Sequence, residues 1–130
     1  RFKNKNPFKQ DGMPFMRYFT NKTMSLITSS LFGINLTEFH TGCKIFSKNF
    51  FYSVPIKNTS DNYLFSFEII LQAAYFKKKY GEISISSSYD GYHTSCNYFN
   101  GLIYLLGNFK LMFLYFLSKL NLIKSKTFSE

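Results

Sequence analysis

Two tetrapeptides place a histidine and a cysteine with two residues between them, His40-Thr41-Gly42-Cys43 and His93-Thr94-Ser95-Cys96. Together they offer the mixed nitrogen and sulfur donors that Zn²⁺ takes tetrahedrally, although the long separation of the two pairs matches no known finger. The competing reading is a pair of turns whose cysteines pack as small hydrophobes and whose histidines face a polar cleft. A carboxylate, Glu68, falls in the first turn of a candidate helix, where the helix dipole stabilises negative charge. Its role there is structural, or it orients a substrate or a neighbouring loop. Asp61 lies in the loop before it, and no second acid stands at catalytic spacing on the helix, so a glycosidase-type pair is not visible. No Ser–His–Asp or Cys–His nucleophile has a local motif.

The elements that position these residues follow from periodicity and punctuation. Residues 1–12 are polar, basic and broken by Pro7 and Gly12, which predicts a loop. From Met13 to about Leu31 nothing breaks a helix; Pro14 suits its first turn and Gly33 its left-handed exit. Thr41-Gly42 marks a turn before Cys43–Phe46, which is predicted as a strand. Ser47 caps a short helix ending near Val54-Pro55. Phe67, Ile70, Leu71 and Ala74 recur at three- and four-residue spacing and give the clearest helix, with Ser66 as its N-cap, Lys77, Lys78 and Lys79 in its last turn and Gly81 as its exit. In Glu82–Tyr89, Ile83 and Ile85 alternate with serines, the pattern of a strand.

The last element, from about Tyr98 to Leu120, is the most apolar, but Gly107, Asn108 and Lys110 interrupt it, whereas a spanning helix wants ~20 nearly uninterrupted apolar residues. Asn97, Gly101, Tyr104, Asn108, Tyr115 and Lys119 lie close to one face, and Lys124 and Lys126 follow. That pattern predicts a helix lying in the membrane interface, its polar stripe and lysines toward anionic head groups. The alternatives are a helix packed on its own domain or a partner subunit, and a true span.

A length of 130 residues suits one packed domain, and 45% hydrophobic with 21% aromatic residues excludes disorder. Two cysteines exclude a disulfide framework and point to a reducing compartment. Sixteen Lys and Arg against seven Asp and Glu give +9, which favours a polyanionic partner or an anionic membrane, or simply reflects a lysine-filled surface. Without an RNA-recognition strand, a finger spacing or a Gly-rich phosphate loop, nucleic acid is not the expected partner. Two strands among four helices fall short of a self-sufficient sheet, so the missing strands are expected before Arg1, in a longer protein of which this chain is a piece.

Four segments, in order, resemble the second half of family 2 glycosyltransferases of the dolichyl-phosphate mannose synthase type. They are Gly12-Met13-Pro14 with Asn21, the run from Gly33 to Gly42 (GINLTEFHTG), Phe65-Ser66-Phe67-Glu68, and Gly81-Glu82-Ile83-Ser84-Ile85. The resemblance covers nearly the whole chain. It implies an α/β fold, the C-terminal half of a GT-A (nucleotide-diphospho-sugar transferase) fold with an incomplete sheet over residues 1–97, followed by a membrane-peripheral amphipathic helix and basic tail over 98–130.

The activity it implies is inverting transfer of a sugar from a nucleotide sugar to a polyprenyl-phosphate-type acceptor. The implied location is cytoplasmic, peripheral to the inner face of the membrane. Mg²⁺ or Mn²⁺ is implied as cofactor, with its ligands upstream of Arg1. Glu38, His40, Thr41 and Gly42 match the loop lining the sugar and acceptor side; Arg1 matches an arginine that follows the metal motif; Glu68 is the candidate orienting residue. Many relatives have Asp where this chain has Ser66, the general base for a hydroxyl acceptor, and its loss fits an acceptor that is already an ionised phosphate. Cys43 stands where an aromatic is usual, Lys44 where arginine is usual, and Ser84 and Ser86 where prolines often flank the strand. The rival from another class is a non-enzymatic membrane-peripheral binding module.

Overall fold

A computed structural model describes residues 6–85 and 98–129, which fall into two compact units. The described part of the first comprises 6–41 with 81–85, and that of the second 42–80 with 98–129.

In the first unit the predicted N-terminal loop contains one helical turn, α1 (Pro7–Gln10), and Gly12 turns the chain at φ +68 before α2 (Phe15–Phe32). Phe8 sets its ring against Phe15 and Tyr18, at centroid distances of 5.6 and 6.1 Å. Pro14 precedes α2 and Gly33 leaves it in the left-handed region at φ +63, as the sequence predicts. The buried side of α2 is formed by Met24, Ser25 and Thr28, and the Thr28 hydroxyl donates back to the Met24 carbonyl at 2.8 Å. Beyond the turn Ile34, Leu36 and Phe39 are buried, with Asn35 and Thr37 exposed between them.

The second unit is built around α4 (Phe65–Tyr75). Phe67, Ile69, Leu71, Gln72 and Ala73 are all buried, so apolar contact surrounds most of the helix, as it does for a core helix. Before it, Ser47 caps α3 (Lys48–Tyr52) by accepting from the Phe50 N–H at 3.2 Å, and a 3₁₀ turn follows at Ile56–Asn58. After it, α5 (Tyr98–Lys119) packs on α4, and a 3₁₀ turn at Lys126–Phe128 brings Phe128 back against Tyr75 and Tyr115. The Gln72 amide ties these ends together, donating to the carbonyls of Pro55 at 3.2 Å and Thr127 at 3.0 Å.

Four expectations are corrected. First, among the described residues there is no strand and no sheet, which overturns the α/β, GT-A half architecture. Cys43–Phe46 and residues 82–85 form no ladder, and the remainder of the expected Glu82–Tyr89 strand lies outside the described residues. A strand exists only through ladder pairing with a neighbouring strand, and Ile45 and Ile83, on these two runs, are among the most exposed apolar residues.

Second, Ser66 is not the N-cap of α4. The helix begins at Phe65, with Leu64 at the cap position two residues earlier, and its entry is shaped by Asn62, whose side-chain oxygen accepts from the Leu64 N–H at 2.9 Å. Third, the exit of α4 is not Gly81. Lys77 adopts φ +52, and the Lys78 N–H bonds the Ala73 carbonyl while the Lys77 N–H bonds that of Ala74, a Schellman closure on a non-glycine residue. The left-handed region costs an L-residue ~1–2 kcal/mol, so Lys77→Gly should stabilise the chain by about 1 kcal/mol, read as a raised midpoint in urea unfolding.

The fourth concerns α5. Of the residues expected to form its outward polar stripe, Asn108 and Tyr115 are buried against α4, Lys119 is exposed at the helix end, and Asn97 lies outside the described residues. The face carrying Asn108, Leu111, Met112, Tyr115 and Ser118 is the inward one, and the exposed face is apolar. Tyr75 donates from its hydroxyl to the Ser118 carbonyl at 3.3 Å, and a Cβ on Gly107 would come within 2.7 Å of the Leu64 side chain, so the backbone of α5 lies close to the entry of α4 there.

Candidate functional site

The resemblance places its site residues in the run from Gly33 to Gly42 and at the start of α4. In the first unit the buried Glu38 turns its carboxylate back along its own chain: Oε1 accepts from the His40 N–H at 2.8 Å. A carboxylate binding the amide two residues on closes a tight local turn and fixes the peptide that carries His40. His40 and Thr41 are half-buried beside it.

That loop is held from its other side by a residue to which the sequence assigned no role. Glu82 accepts from the Thr37 N–H at 2.9 Å through Oε2, and the Thr37 hydroxyl donates to the same carboxylate at 3.0 Å. Residues 45 positions apart are thereby joined through a charged acceptor, among the stronger classes of protein hydrogen bond. Both residues lie within segments that carry the resemblance, which was the available signal. Pairing Thr37 with Glu82 needed the fold, because no local spacing encodes it. Glu82→Gln leaves only one oxygen to accept and should cost about 1–2 kcal/mol. Hydrogen exchange of the Thr37 and His40 amides should report that loosening.

In the second unit Glu68 is 3% exposed and both its oxygens are engaged, Oε2 by the Ser60 N–H at 2.6 Å and Oε1 by the Ser60 hydroxyl at 2.9 Å. Of the two roles considered for an orienting Glu68, this geometry is that of orienting the neighbouring loop. It anchors residue 60 directly before the exposed Asp61 and Asn62. Ser66, two residues earlier on the same helix, is half-buried, and Gly42 and Cys43 are exposed. Arg1 lies outside the described residues.

Burial also governs the chemistry of Tyr115. Desolvation, followed by the neighbouring hydroxyls of Tyr75 and Tyr80, pushes its phenol above the usual tyrosine range. It therefore remains a neutral packing residue through physiological pH.

For zinc, Cys43 is an exposed free thiol and His40 sits in the turned loop, while His93 and Cys96 lie outside the described residues. Among the described residues no three His, Cys, Asp or Glu side chains come together to hold a metal. The ligands of the divalent cation that the resemblance implies are expected upstream of Arg1, and no chemical step is assigned to that ion.

One helix, Phe99–Lys119, is long and apolar enough to associate with a membrane by length and composition. Comparison with known proteins finds no matching family model, no matching curated protein and no matching solved structure.

Proposed function

We propose that this chain is the acceptor-side part of an inverting glycosyltransferase that moves a sugar from a nucleotide sugar to a polyprenyl-phosphate-type lipid. It works peripherally at the cytoplasmic face of the membrane. The observation that carries this reading is the Thr37–Glu82 clamp, which joins two of the segments on which the resemblance rests and braces the loop bearing Glu38, His40 and Thr41.

In this reading Glu38 is a positioning residue. Its carboxylate is committed to the His40 amide, and the loop it shapes presents His40, Thr41 and Gly42 to the sugar and acceptor. Glu68 positions the segment before α4 in the same manner. The acceptor phosphate oxygen attacks the anomeric carbon in line, forming one C–O bond as the bond to the nucleoside diphosphate breaks. An ionised phosphate brings its own negative charge, so no residue has to remove a proton, in keeping with Ser66 where a base would stand. The exposed apolar face of α5 favours a second reading, a membrane-peripheral binding module without enzymatic activity.

The test is sugar transfer by the protein that contains this chain, with a panel of labelled nucleotide sugars and detergent-dispersed polyprenyl phosphate. Label moving into the lipid product is the expected result. The 130-residue chain alone should transfer none, and turnover by it alone would overturn the division of labour proposed here.

A further inference from the structure

The amphipathy of α5 is turned inside out relative to a soluble surface helix. Asn108, Tyr115 and Ser118 lie on its inward face beside Leu111 and Met112, and Asn108, 1% exposed, buries an amide that makes no hydrogen bond among the described residues. Leu102, Leu106, Phe109, Phe113, Phe116 and Leu120 instead form a continuous stripe along the opposite side, with Phe113 64% exposed. Only 28% of the apolar window of this helix is buried, which is not the environment of a core helix.

We infer that this stripe is the surface by which the protein lies on an anionic bilayer, with α5 in the plane of the interface and its polar side toward the rest of its unit. This rests on the membrane-face part of the reading above and adds which surface meets the lipid. Charge complementarity selects this occupant. Lys110, Lys119, Lys124 and Lys126 are exposed along and just beyond the stripe, and no acid occurs after residue 97 until Glu130 at the chain end. An in-plane helix lets lysines reach head groups while rings and aliphatic chains enter the acyl boundary.

A second copy of the chain would suit the four-three spacing of the stripe, but it would oppose lysines to lysines with no carboxylate on the helix to separate them. A spanning orientation would put Lys110 near the bilayer centre and pull Asn108, Tyr115 and Ser118 away from α4.

The experiment uses the full 130-residue chain with vesicles of phosphatidylcholine alone or mixed with phosphatidylglycerol. The chain has no tryptophan, so Phe113→Trp supplies a single reporter and Tyr52→Trp, exposed elsewhere in the same unit, a control. Co-sedimentation with the anionic vesicles is expected. The emission of the Phe113→Trp variant should shift to shorter wavelength and be quenched by shallow brominated lipids, while that of the Tyr52→Trp control is unmoved. The triple variant Leu106→Gln, Phe113→Gln, Phe116→Gln should bind at least about 100-fold more weakly with its helical circular dichroism retained.

An unmoved emission from the Phe113→Trp variant would overturn the proposal, and so would a shift that depends on protein concentration without lipid, which indicates a second copy. Strongest quenching from bromines at the bilayer centre, which indicates a span, would also overturn it. Transfer to a detergent-dispersed acceptor needs no vesicle, so loss of binding with transfer intact would remove this surface and leave the transferase reading standing.

Discussion

Replacing Glu68 by alanine should lower the unfolding free energy of the chain by about 3 kcal/mol or more. Two donors of Ser60, its backbone N–H and its hydroxyl, converge on the two oxygens of this buried carboxylate. Hydrogen bonds to a charged group contribute roughly 1.5–3 kcal/mol each, and a part-buried N–H left unpaired adds a penalty of its own. Glu68→Gln keeps one acceptor and should cost about 1–2 kcal/mol, leaving the fold intact. Ser66→Ala, which removes no cap, should stay within about 0.5 kcal/mol of the native chain. Urea unfolding of the three variants checks the order.

The same variants separate positioning from chemistry in the transferring protein. Glu68→Gln should lower kcat about tenfold with little change in KM for the nucleotide sugar, because a loosened loop misplaces groups that act only in the transition state. Abolition of transfer by Ser66→Ala in a folded protein would show that a proton-transfer step does operate there, against the reading of an ionised acceptor.

Removing three lysines beside the α5 stripe should have an effect of similar size on lipid binding. Lys119, Lys124 and Lys126 are all exposed, and each basic residue near an anionic leaflet contributes ~1 kcal/mol. Their joint replacement by glutamine should cost ~3 kcal/mol, roughly 150-fold in affinity at low ionic strength. Raising salt shortens the Debye length, to about 8 Å near 0.15 M, so the wild-type and mutant curves should draw together as salt rises. The remaining binding is the apolar term of the stripe and should be insensitive to salt. Co-sedimentation across salt concentrations measures both terms, and a triple variant that binds as tightly as wild type at low salt would contradict the electrostatic part.

Local rules made much of the helical framework legible. Gly33 leaves α2 because only a residue without Cβ takes that φ at no cost, and Ser47 caps α3 because its hydroxyl reaches the third amide onward. The three- and four-residue spacing in α4 and the apolar length of α5 also gave these helices their place. Where the reading failed, a choice rested on something beyond local sequence. Gly81 is the better left-handed residue, yet α4 ends at Tyr75 and closes through Lys77 in the left-handed region. The alternation in Ile83 and Ile85 needs a partner strand to become structure, and alternation cannot say whether one is present.

The α5 case is the most instructive. Periodicity correctly grouped Asn108 with Tyr115 on one face, but it carries no information about what lies beyond each face. α4 and the C-terminal 3₁₀ turn cover that side, through the Tyr75 and Phe128 rings that meet Tyr115 and the bond from Tyr75 to Ser118. The candidate site was legible in part for the same reason. Glu68 could be picked out as a carboxylate in the first turn of a helix and Glu38 through the resemblance, whereas the Ser60 donors to Glu68 and the Thr37–Glu82 clamp are tertiary facts.

The most direct measurement compares two acceptors of equal chain length, a polyprenyl phosphate and the corresponding polyprenol, offered with labelled nucleotide sugars to the protein that contains this chain, with the product anomer assigned by NMR. Transfer to the phosphate only, with inversion at the anomeric carbon, is the result expected. Transfer to the alcohol, retention of configuration, or no transfer by a folded protein that still binds anionic vesicles would contradict it, and the last of these would leave the chain as a membrane-binding module.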